Sequence, residues 1–275
     1  MNRSKKKETI WRSLIFIILV TGLAFVGPLL GGSPSSPGIG FIIWGMAPML
    51  VAVLMRAISR DWSDAGLMPV FKENRIWYGL AIITYPILMM LTLLIGAMIS
   101  TSSISDFSIL PYLKTAVTAL PIFLIFAFFE EFGWRGYLVP KLASIGINSY
   151  LMHAIVGIVW ATWHLPFVRE LTWLYSSEDL LTFIPRLYLG AFAFSIFYDE
   201  IRLISGTFWP AVILHGISNS FGHPFVANYV SIKIGQEFLG SVGFDGLLMM
   251  FFFACLGVAL KLWRTKKMML AETMT

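Results

Sequence analysis

Long apolar stretches recur along this chain, and they constrain its fold more than any other feature. A helix needs about 20 apolar residues to cross the hydrocarbon core of a bilayer. Eight stretches approach this length, at about 13–30, 39–56, 76–100, 110–142, 148–168, 180–198, 206–222 and 243–263. The sequence therefore predicts an all-α protein, a polytopic integral membrane helix bundle with about eight transmembrane helices.

The composition excludes the other broad classes of protein. Of the 275 residues, 57% are hydrophobic and 13% are charged, against about 45–50% and about 25% in soluble domains. A chain with 23 Phe and 10 Trp would collapse, so it is not disordered. The single cysteine, Cys255, excludes a disulfide scaffold and any cysteine-based zinc site. No linker or repeat divides the chain, so we expect residues 1–275 to form a single integral membrane domain.

The net charge of +5 indicates membrane topology rather than a nucleic-acid partner, because the basic residues flank the apolar stretches. Both termini are expected in the cytoplasm, which for a prokaryote means the inner side of the plasma membrane. Of the 20 Lys and Arg residues, 16 then lie on the inner side, and four lie outside or in the membrane: Lys114, Arg169, Arg186 and Lys233.

The first apolar stretch follows Arg3 and three lysines, as in a signal peptide. It is longer than a typical signal-peptide core and lacks a small-x-small cleavage site, so we expect a membrane anchor.

Ionisable side chains inside apolar stretches mark the candidate functional residues, since a charge at the bilayer centre costs about 2.5–3.5 kcal/mol on insertion scales. The first cluster contains Glu130 and Glu131, with Arg135 one helical turn later. Glu131 and Arg135 have the spacing of a helical ion pair, whereas Glu130 points about 100° away from Glu131. The structural alternative is an interfacial helix end, where charges are tolerated.

Two further clusters each contain a histidine. His164 lies in a Trp-rich stretch with Trp160 one turn earlier, and His215 and Asn219 share one stripe of a later helix. A buried histidine is more often a packing residue, and polar stripes often join membrane helices, helped here by the small Gly216. Both clusters therefore have structural alternatives.

Depth in the membrane links these clusters. At 1.5 Å per residue from the expected inner helix ends, Glu130, His164, His215 and Asn219 lie about 14–24 Å deep. They share one layer if the helix that carries Glu130 continues to about Pro140.

The three clusters together resemble the CPBP family, which includes the type II CAAX prenyl endopeptidases and the bacterial Abi or bacteriocin-immunity proteins. The family pattern is Glu-Glu-x-x-x-Arg, Phe-x-x-x-His and His-x-x-x-Asn, on three helices. This chain reads EEFGWR at 130–135, WATWH at 160–164 and HGISN at 215–219, with Trp160 in place of the usual Phe. The motif-bearing catalytic core covers about residues 110–222.

The resemblance implies an intramembrane endopeptidase with Glu130, His164, His215 and Asn219 at the catalytic positions. It also implies a cavity that opens to the cytoplasm and receives a prenylated C-terminal tail. The substrate is either such a tail or a peptide or membrane-protein precursor. The expected surroundings are the lipid bilayer, and the oligomeric state is open.

The residue types themselves suit this chemistry. A glutamate in an apolar cavity is a competent base, so we expect Glu130, helped by His164, to activate a water molecule. His215 and Asn219 would supply donors to the oxyanion. Three residues are expected to support the site: Glu131, Arg135 and Trp160.

A zinc site is an open alternative to the metal-free scheme, which is our first expectation. Glu130, His164 and His215 would form a His₂Glu set with one position left for water. The chain contains no His-Glu-x-x-His sequence.

The remaining candidates are not expected to act in catalysis. Ser218 and Ser220 lack a Gly-x-Ser-x-Gly elbow, and Cys255 lies among Phe and Leu residues. His153 and His223 are expected to be structural or interfacial.

Two other classes of function compete with proteolysis. The first is a non-enzymatic immunity or scaffold protein that binds a peptide in the same cavity. The second is a proton-coupled transporter, which the lack of an inverted repeat disfavours.

Overall fold

The computed structural model describes residues 2–168, 170, 179–232 and 237–273, and these residues form a bundle of long helices. The helices are α1 (Arg3–Val26), α2 (Ile39–Ser59), α3 (Phe71–Met98), α4 (Ile109–Gly133), α5 (Val139–Ser144), α6 (Ser149–His164), α7 (Leu180–Ser205), α8 (Trp209–Tyr229), α9 (Glu237–Gly240) and α10 (Leu247–Thr273). The predicted all-α membrane bundle is confirmed. Arg169 and Lys233, both counted above as outer basic residues, lie outside the described residues.

A short antiparallel ribbon is the one addition to the helices among the described residues. Strand β1 (Ser102–Ile104) pairs with strand β2 (Val230–Ile232), with Ser103 opposite Ser231. β1 follows α3 and β2 follows α8, so the ribbon joins the ends of these two helices.

The eight predicted apolar stretches all coincide with long helices. Among the described residues, six helical segments are long and apolar enough to cross a membrane: α1 with the 3₁₀ turn Gly27–Leu30, α2, α3, α4 extended through α5, α7 and α10. The other two predicted stretches correspond to α6 and α8, which are not among these six segments. α6 has only 16 residues, and α8 carries the polar side chains of the third motif. The count of eight crossings therefore stays a prediction.

Local signals fix where several helices begin and end. The Asn2 side chain accepts a hydrogen bond from Lys5 N (2.9 Å) at the start of α1, and Asn148 caps α6 in the same way through Tyr150 N (2.9 Å). α7 ends at Gly206, whose positive φ of 72° ends the helix in the left-handed region.

Close helix contacts at glycines bring the polar helices together. α4 packs against α8 and α2, and α7 packs against α6 and α10. A Cβ at Gly216 of α8 would lie 2.5 Å from Leu124 Cδ2 of α4, and a Cβ at Gly133 would overlap Pro48 of α2. This confirms the close packing expected at Gly216.

Successive long helices run in opposite directions, so the bundle has two ends. At the end that holds both chain termini, which we call the terminus end, Asn74 Nδ2 donates to Ser205 O (3.0 Å). There too the Lys261 ammonium lies 3.4 Å from the centre of the Tyr150 ring. The opposite end contains the β1–β2 ribbon and the connection between α1 and α2.

Candidate active site

The two glutamates lie well inside the bundle. α4 continues through a π turn, Trp134–Leu138, into α5, so that Ile109–Ser144 forms one helical segment of 36 residues. This confirms the predicted continuation to Pro140. Glu130 is 6% exposed and Glu131 is fully buried, so the interfacial alternative is wrong. π turns are rare and occur frequently at functional sites.

Glu131 forms the predicted ion pair with Arg135. Nη1 of Arg135 lies 3.1 Å from each oxygen of the Glu131 carboxylate. Arg135 also donates from Nε to Asp199 Oδ1 (2.9 Å), and its guanidinium lies 4.8 Å from the centre of the Tyr198 ring. The ion pair is fully buried, so each charge depends on the others for compensation.

His215 lies between the two glutamates. Its Nδ1 is 2.9 Å from Glu131 Oε1, and its Nε2 is 3.7 Å from Glu130 Oε1. One ring nitrogen is therefore hydrogen-bonded, and the other faces Glu130 beyond hydrogen-bond distance. Because the two carboxylates point in different directions on the helix, they face different ring nitrogens of the same imidazole.

Trp160 holds one oxygen of Glu130. The indole Nε1 donates to Glu130 Oε2 at 2.9 Å, and the indole ring centre lies 5.7 Å from that of His215 and 6.0 Å from that of His164. A phenylalanine at this position would have no N–H to donate. The Glu130 oxygen that faces His215 is left available to a substrate or water.

The hydrogen bond of His164 fixes the position of its proton. Nδ1 lies 2.8 Å from the carbonyl oxygen of Trp160, and because that oxygen can only accept, Nδ1 carries the hydrogen. In the neutral ring, Nε2 is then the free acceptor. Trp163 packs edge to face on His164, with ring centres 4.8 Å apart, and itself stacks on Trp44 at 4.0 Å.

A single cavity of about 450 Å³ brings the candidate residues together. Glu130 from α4, His164 from α6 and both His215 and Asn219 from α8 line it, and most of its other walls are apolar. Its volume is typical of ligand sites, which span ~300–1,000 Å³. Glu131 and Arg135 lie behind the cavity wall.

Several residues of the cavity had no sequence signal. Tyr85 and Tyr198 look like ordinary core aromatics, and Asp245 lies in a connection before α10, yet all three line the cavity. His223, expected to be structural or interfacial, also lines it and stacks on Phe123 with ring centres 5.3 Å apart.

A chain of buried charges extends from Glu131 toward the terminus end. Asp199 Oδ2 lies 2.9 Å from His153 Nδ1, whose Nε2 lies 3.2 Å from Glu200 Oε1. Arg264 of α10 binds Glu200 Oε2 at 2.6 Å. We call this series of six connected side chains the buried charge network: Glu131, Arg135, Asp199, His153, Glu200 and Arg264. The apolar stretch expected at about 180–198 ends just before Asp199 and Glu200, which were therefore not among the candidate residues, whereas the helix continues to Ser205.

The zinc alternative concerns Glu130, His164 and His215, which line the same cavity. No group of three His, Cys, Asp or Glu side chains within the described ranges could hold a metal ion. Nδ1 of His164 faces a carbonyl oxygen and Nδ1 of His215 is bonded to Glu131, so Nε2 of each ring stays free, as it does in histidines that bind a metal through Nε2. As placed, Glu130, His164 and His215 are not grouped as a ligand set, and the zinc site stays an alternative that elemental analysis tests.

The side chains with nucleophilic atoms are placed elsewhere or are engaged. Ser218 donates to Leu214 O at 2.7 Å, and Ser220 donates to Ala116 O. Cys255 is exposed on α10, away from the residues that line the cavity.

The cavity extends toward the end of the bundle opposite the chain termini. Pro34 and Pro37, which connect α1 to α2, line it, and so do residues 242–245 before α10. Two expectations from the sequence, cytoplasmic termini and a cavity open to the cytoplasm, are therefore incompatible with each other.

Comparisons with known proteins confirm the resemblance inferred from the three motifs. Residues 111–221 match the family described as type II CAAX prenyl endopeptidase Rce1-like. CAAX prenyl protease 2 of Methanococcus maripaludis is 30% identical over 163 residues, which cover 53% of this chain and 57% of that protein. Lysostaphin resistance protein A of Staphylococcus haemolyticus is 28% identical over 230 residues, or 78% of this chain and 58% of that protein. The chain thus spans somewhat more than half the length of these relatives.

Proposed function

We propose that this chain, with its Rce1-like core at residues 111–221, is an intramembrane endopeptidase. One observation carries the proposal: Glu130, His164, His215 and Asn219, from three different helices, line the same largely apolar cavity. Hydrolysis inside a membrane needs a water molecule, a base and oxyanion donors in a confined space, and this cavity supplies residues of each kind.

Glu130 acts as the general base in this proposal. Trp160 fixes its Oε2, so Oε1 takes the proton from the attacking water. His164, whose Nδ1 hydrogen is committed to a carbonyl oxygen, accepts the second water hydrogen at Nε2 and orients the molecule. The water oxygen bonds to the carbonyl carbon of the scissile peptide, and the carbonyl oxygen becomes the oxyanion.

His215 and Asn219 donate hydrogen bonds to that oxyanion. To donate from Nε2 while Nδ1 donates to Glu131, His215 must carry both ring protons, and the adjacent carboxylates stabilise that form. Asn219 lies one helical turn further along α8 on the same face, and its amide supplies the second donor. The intermediate collapses when the C–N bond breaks and Glu130 returns its proton to the leaving amine.

Glu131, Arg135 and Trp160 serve as positioning residues. Arg135 holds Glu131, which holds the His215 ring, while Trp160 holds Glu130. The proposed scheme uses no metal ion. The substrate is the tail of a prenylated protein, or a peptide or membrane-protein precursor without that modification, and it reaches the site from the lipid bilayer.

Cleavage of defined peptides by the purified protein tests this function. The protein is incubated in detergent micelles with prenylated and unprenylated tail peptides, and the products are identified by mass spectrometry. Glu130→Gln keeps the side-chain volume and an oxygen that accepts from Trp160, so the fold is retained. We expect cleavage to fall by about 10²–10⁴-fold, and His164→Ala to have a similar effect.

Cys255→Ala is the matched control, because Cys255 lies outside the cavity, and it should cleave at the original rate. Full activity of folded Glu130→Gln would refute the proposed base. A protein that binds peptides without cleaving any, and binds equally well as Glu130→Gln, would instead be the scaffold or immunity protein.

Elemental analysis tests the metal-free scheme. We expect the active protein to contain no stoichiometric zinc and to keep its rate after treatment with a chelator. Stoichiometric zinc whose removal abolishes cleavage would overturn the scheme.

A further inference from the structure

The walls of the cavity identify the end of the bundle at which it opens. Beyond the motif residues it is lined by Pro34 and Pro37 from the α1–α2 connection, and by residues 242–245 from the connection to α10. Pro37 is exposed. Phe183, near the first residue of α7, lines the same part. All of these residues lie at the end opposite the chain termini, and we call them the mouth residues.

The terminus end beneath the cavity is filled by the buried charge network. Arg135 binds Asp199, Asp199 binds His153, and His153 binds Glu200. All four side chains are fully buried. The network therefore occupies the space between Glu130 and the terminus end.

A tethered loop covers the terminus end as well. The α2–α3 connection carries Asp61 and Asp64, and Lys141 of α5 lies 2.7 Å from Asp61 and 3.0 Å from Asp64. The Lys141 hydrogen bond holds the pKa of Asp61 well below its usual range. Arg56 of α2 binds Asp64 at 2.9 Å, and Arg202 of α7 donates to the Asp64 carbonyl oxygen at 2.6 Å. The mouth residues thus line the side of the cavity that these contacts leave uncovered.

Basic residues are concentrated at the terminus end. Of the 20 Lys and Arg residues in the sequence, 16 belong to this end by the alternation of the helices. Four of the 16 are buried in internal contacts and carry no topological signal: Arg56, Arg135, Lys141 and Arg202. The remaining 12 still outnumber the four assigned to the outer side. Because Lys and Arg concentrate in cytoplasmic segments, the terminus end faces the cytoplasm.

We propose that the active-site cavity opens on the extracytoplasmic side of the membrane and takes an apolar, unprenylated peptide segment presented from that side. This inference rests on the proposed function for the cleavage itself. A prenyl anchor is placed on a cytoplasmic C-terminal cysteine, so a prenylated tail would approach the closed end. The aromatic and aliphatic cavity walls suit the apolar segment of a membrane-anchored precursor at its extracytoplasmic end.

Cysteine labelling in intact cells measures the sidedness directly. In a Cys255→Ala background, Ser36→Cys places a reporter in the α1–α2 connection beside the mouth residues, and Ser105→Cys places a second at the same end after β1. Ser4→Cys reports on the terminus end. All three serines are exposed, so each variant should fold normally. The probe is a membrane-impermeant maleimide.

We expect Ser36→Cys and Ser105→Cys to label in intact cells as fully as in permeabilised cells, and Ser4→Cys to label only after permeabilisation. Protection of Ser36→Cys and Ser105→Cys until the cells are permeabilised would overturn the proposal, because the mouth would then face the cytoplasm. This measurement does not depend on catalysis, so its result is separate from that of the proposed function.

Sided proteoliposomes test substrate entry. Vesicles are sorted into those with the Ser36→Cys reporter outside and those with it inside, and an unprenylated apolar peptide is added to the outer solution. Cleavage by the first population and not by the second supports the proposal, whereas the reverse preference overturns it. Absence of cleavage in both populations, in protein that is folded, contradicts the proposed function and leaves the labelling result standing.

Discussion

Glu131→Gln is the most informative single substitution, because Glu131 connects the buried charge network to His215. The carboxylate accepts hydrogen bonds from Arg135 at 3.1 Å and from His215 at 2.9 Å. Glutamine keeps the volume but removes the charge, so Arg135 is left with Asp199 as its carboxylate partner. Loss of one member of a buried ion pair costs about 3–5 kcal/mol of folding free energy.

The same substitution weakens the support of His215 in the transition state. A hydrogen bond to a charged group contributes about 1.5–3 kcal/mol, and each 1.36 kcal/mol is tenfold in rate. We therefore expect kcat of folded Glu131→Gln to fall by about 10–150-fold. KM should change little, because Glu131 lies behind the cavity wall and does not line it.

Asp199→Asn is the matched control, because it neutralises the other carboxylate partner of Arg135 without touching His215. Asp199 also binds His153 at 2.9 Å, so Asp199→Asn should destabilise the protein at least as much as Glu131→Gln does. Thermal unfolding in detergent gives the stabilities, and steady-state peptide cleavage below the unfolding range gives kcat. If Asp199→Asn lowers kcat as much as Glu131→Gln does, or if Glu131→Gln keeps full kcat, the assigned role of Glu131 is refuted.

Three further predictions follow from individual contacts. Trp160→Phe keeps the aromatic ring but removes the N–H that binds Glu130 at 2.9 Å, so steady-state kinetics should show kcat reduced by about tenfold or more; an unchanged kcat contradicts the positioning role. Lys141 lowers the pKa of Asp61 in the folded protein. The pair therefore stabilises the fold fully at any pH above the pKa that Asp61 has in the unfolded chain, and this stabilisation is lost as the pH falls through the lower pKa of the folded state. The difference in unfolding midpoint between the original chain and Asp61→Asn should therefore persist down to about pH 4, and its disappearance near neutral pH would count against the pair. Reagents directed at serine or cysteine should not inhibit cleavage, since Cys255 is exposed outside the cavity.

The candidate site could be located from the sequence because polar residues are rare in its apolar stretches. Glu130, His164 and His215 stand out for that reason, and helical spacing placed Asn219 beside His215. The pairing of Glu131 with Arg135 is local, four residues apart, so periodicity was sufficient to predict it.

Contacts between helices could not be predicted in the same way. Trp160 lies 30 residues from Glu130 in the chain, and nothing in its own helix indicates that the indole donates to that carboxylate. Asp199 lies 64 residues from Arg135, just beyond the expected end of its helix. Tyr198 resembles any core aromatic until the packing of α7 brings it to the cavity.

The sequence alone determined the membrane bundle and the few polar positions inside its apolar stretches, because the cost of placing charge in a bilayer acts on every residue of such a stretch, whatever its neighbours. It also determined the family resemblance, because three short motifs suffice for it. The tertiary structure decided which oxygen of Glu130 accepts the hydrogen bond from Trp160, and which carboxylate each ring nitrogen of His215 faces. It also decided that the cavity extends away from the chain termini. These features depend on the packing of one helix against another, and the distances between side chains on different helices are set by that packing rather than by the order of residues along the chain.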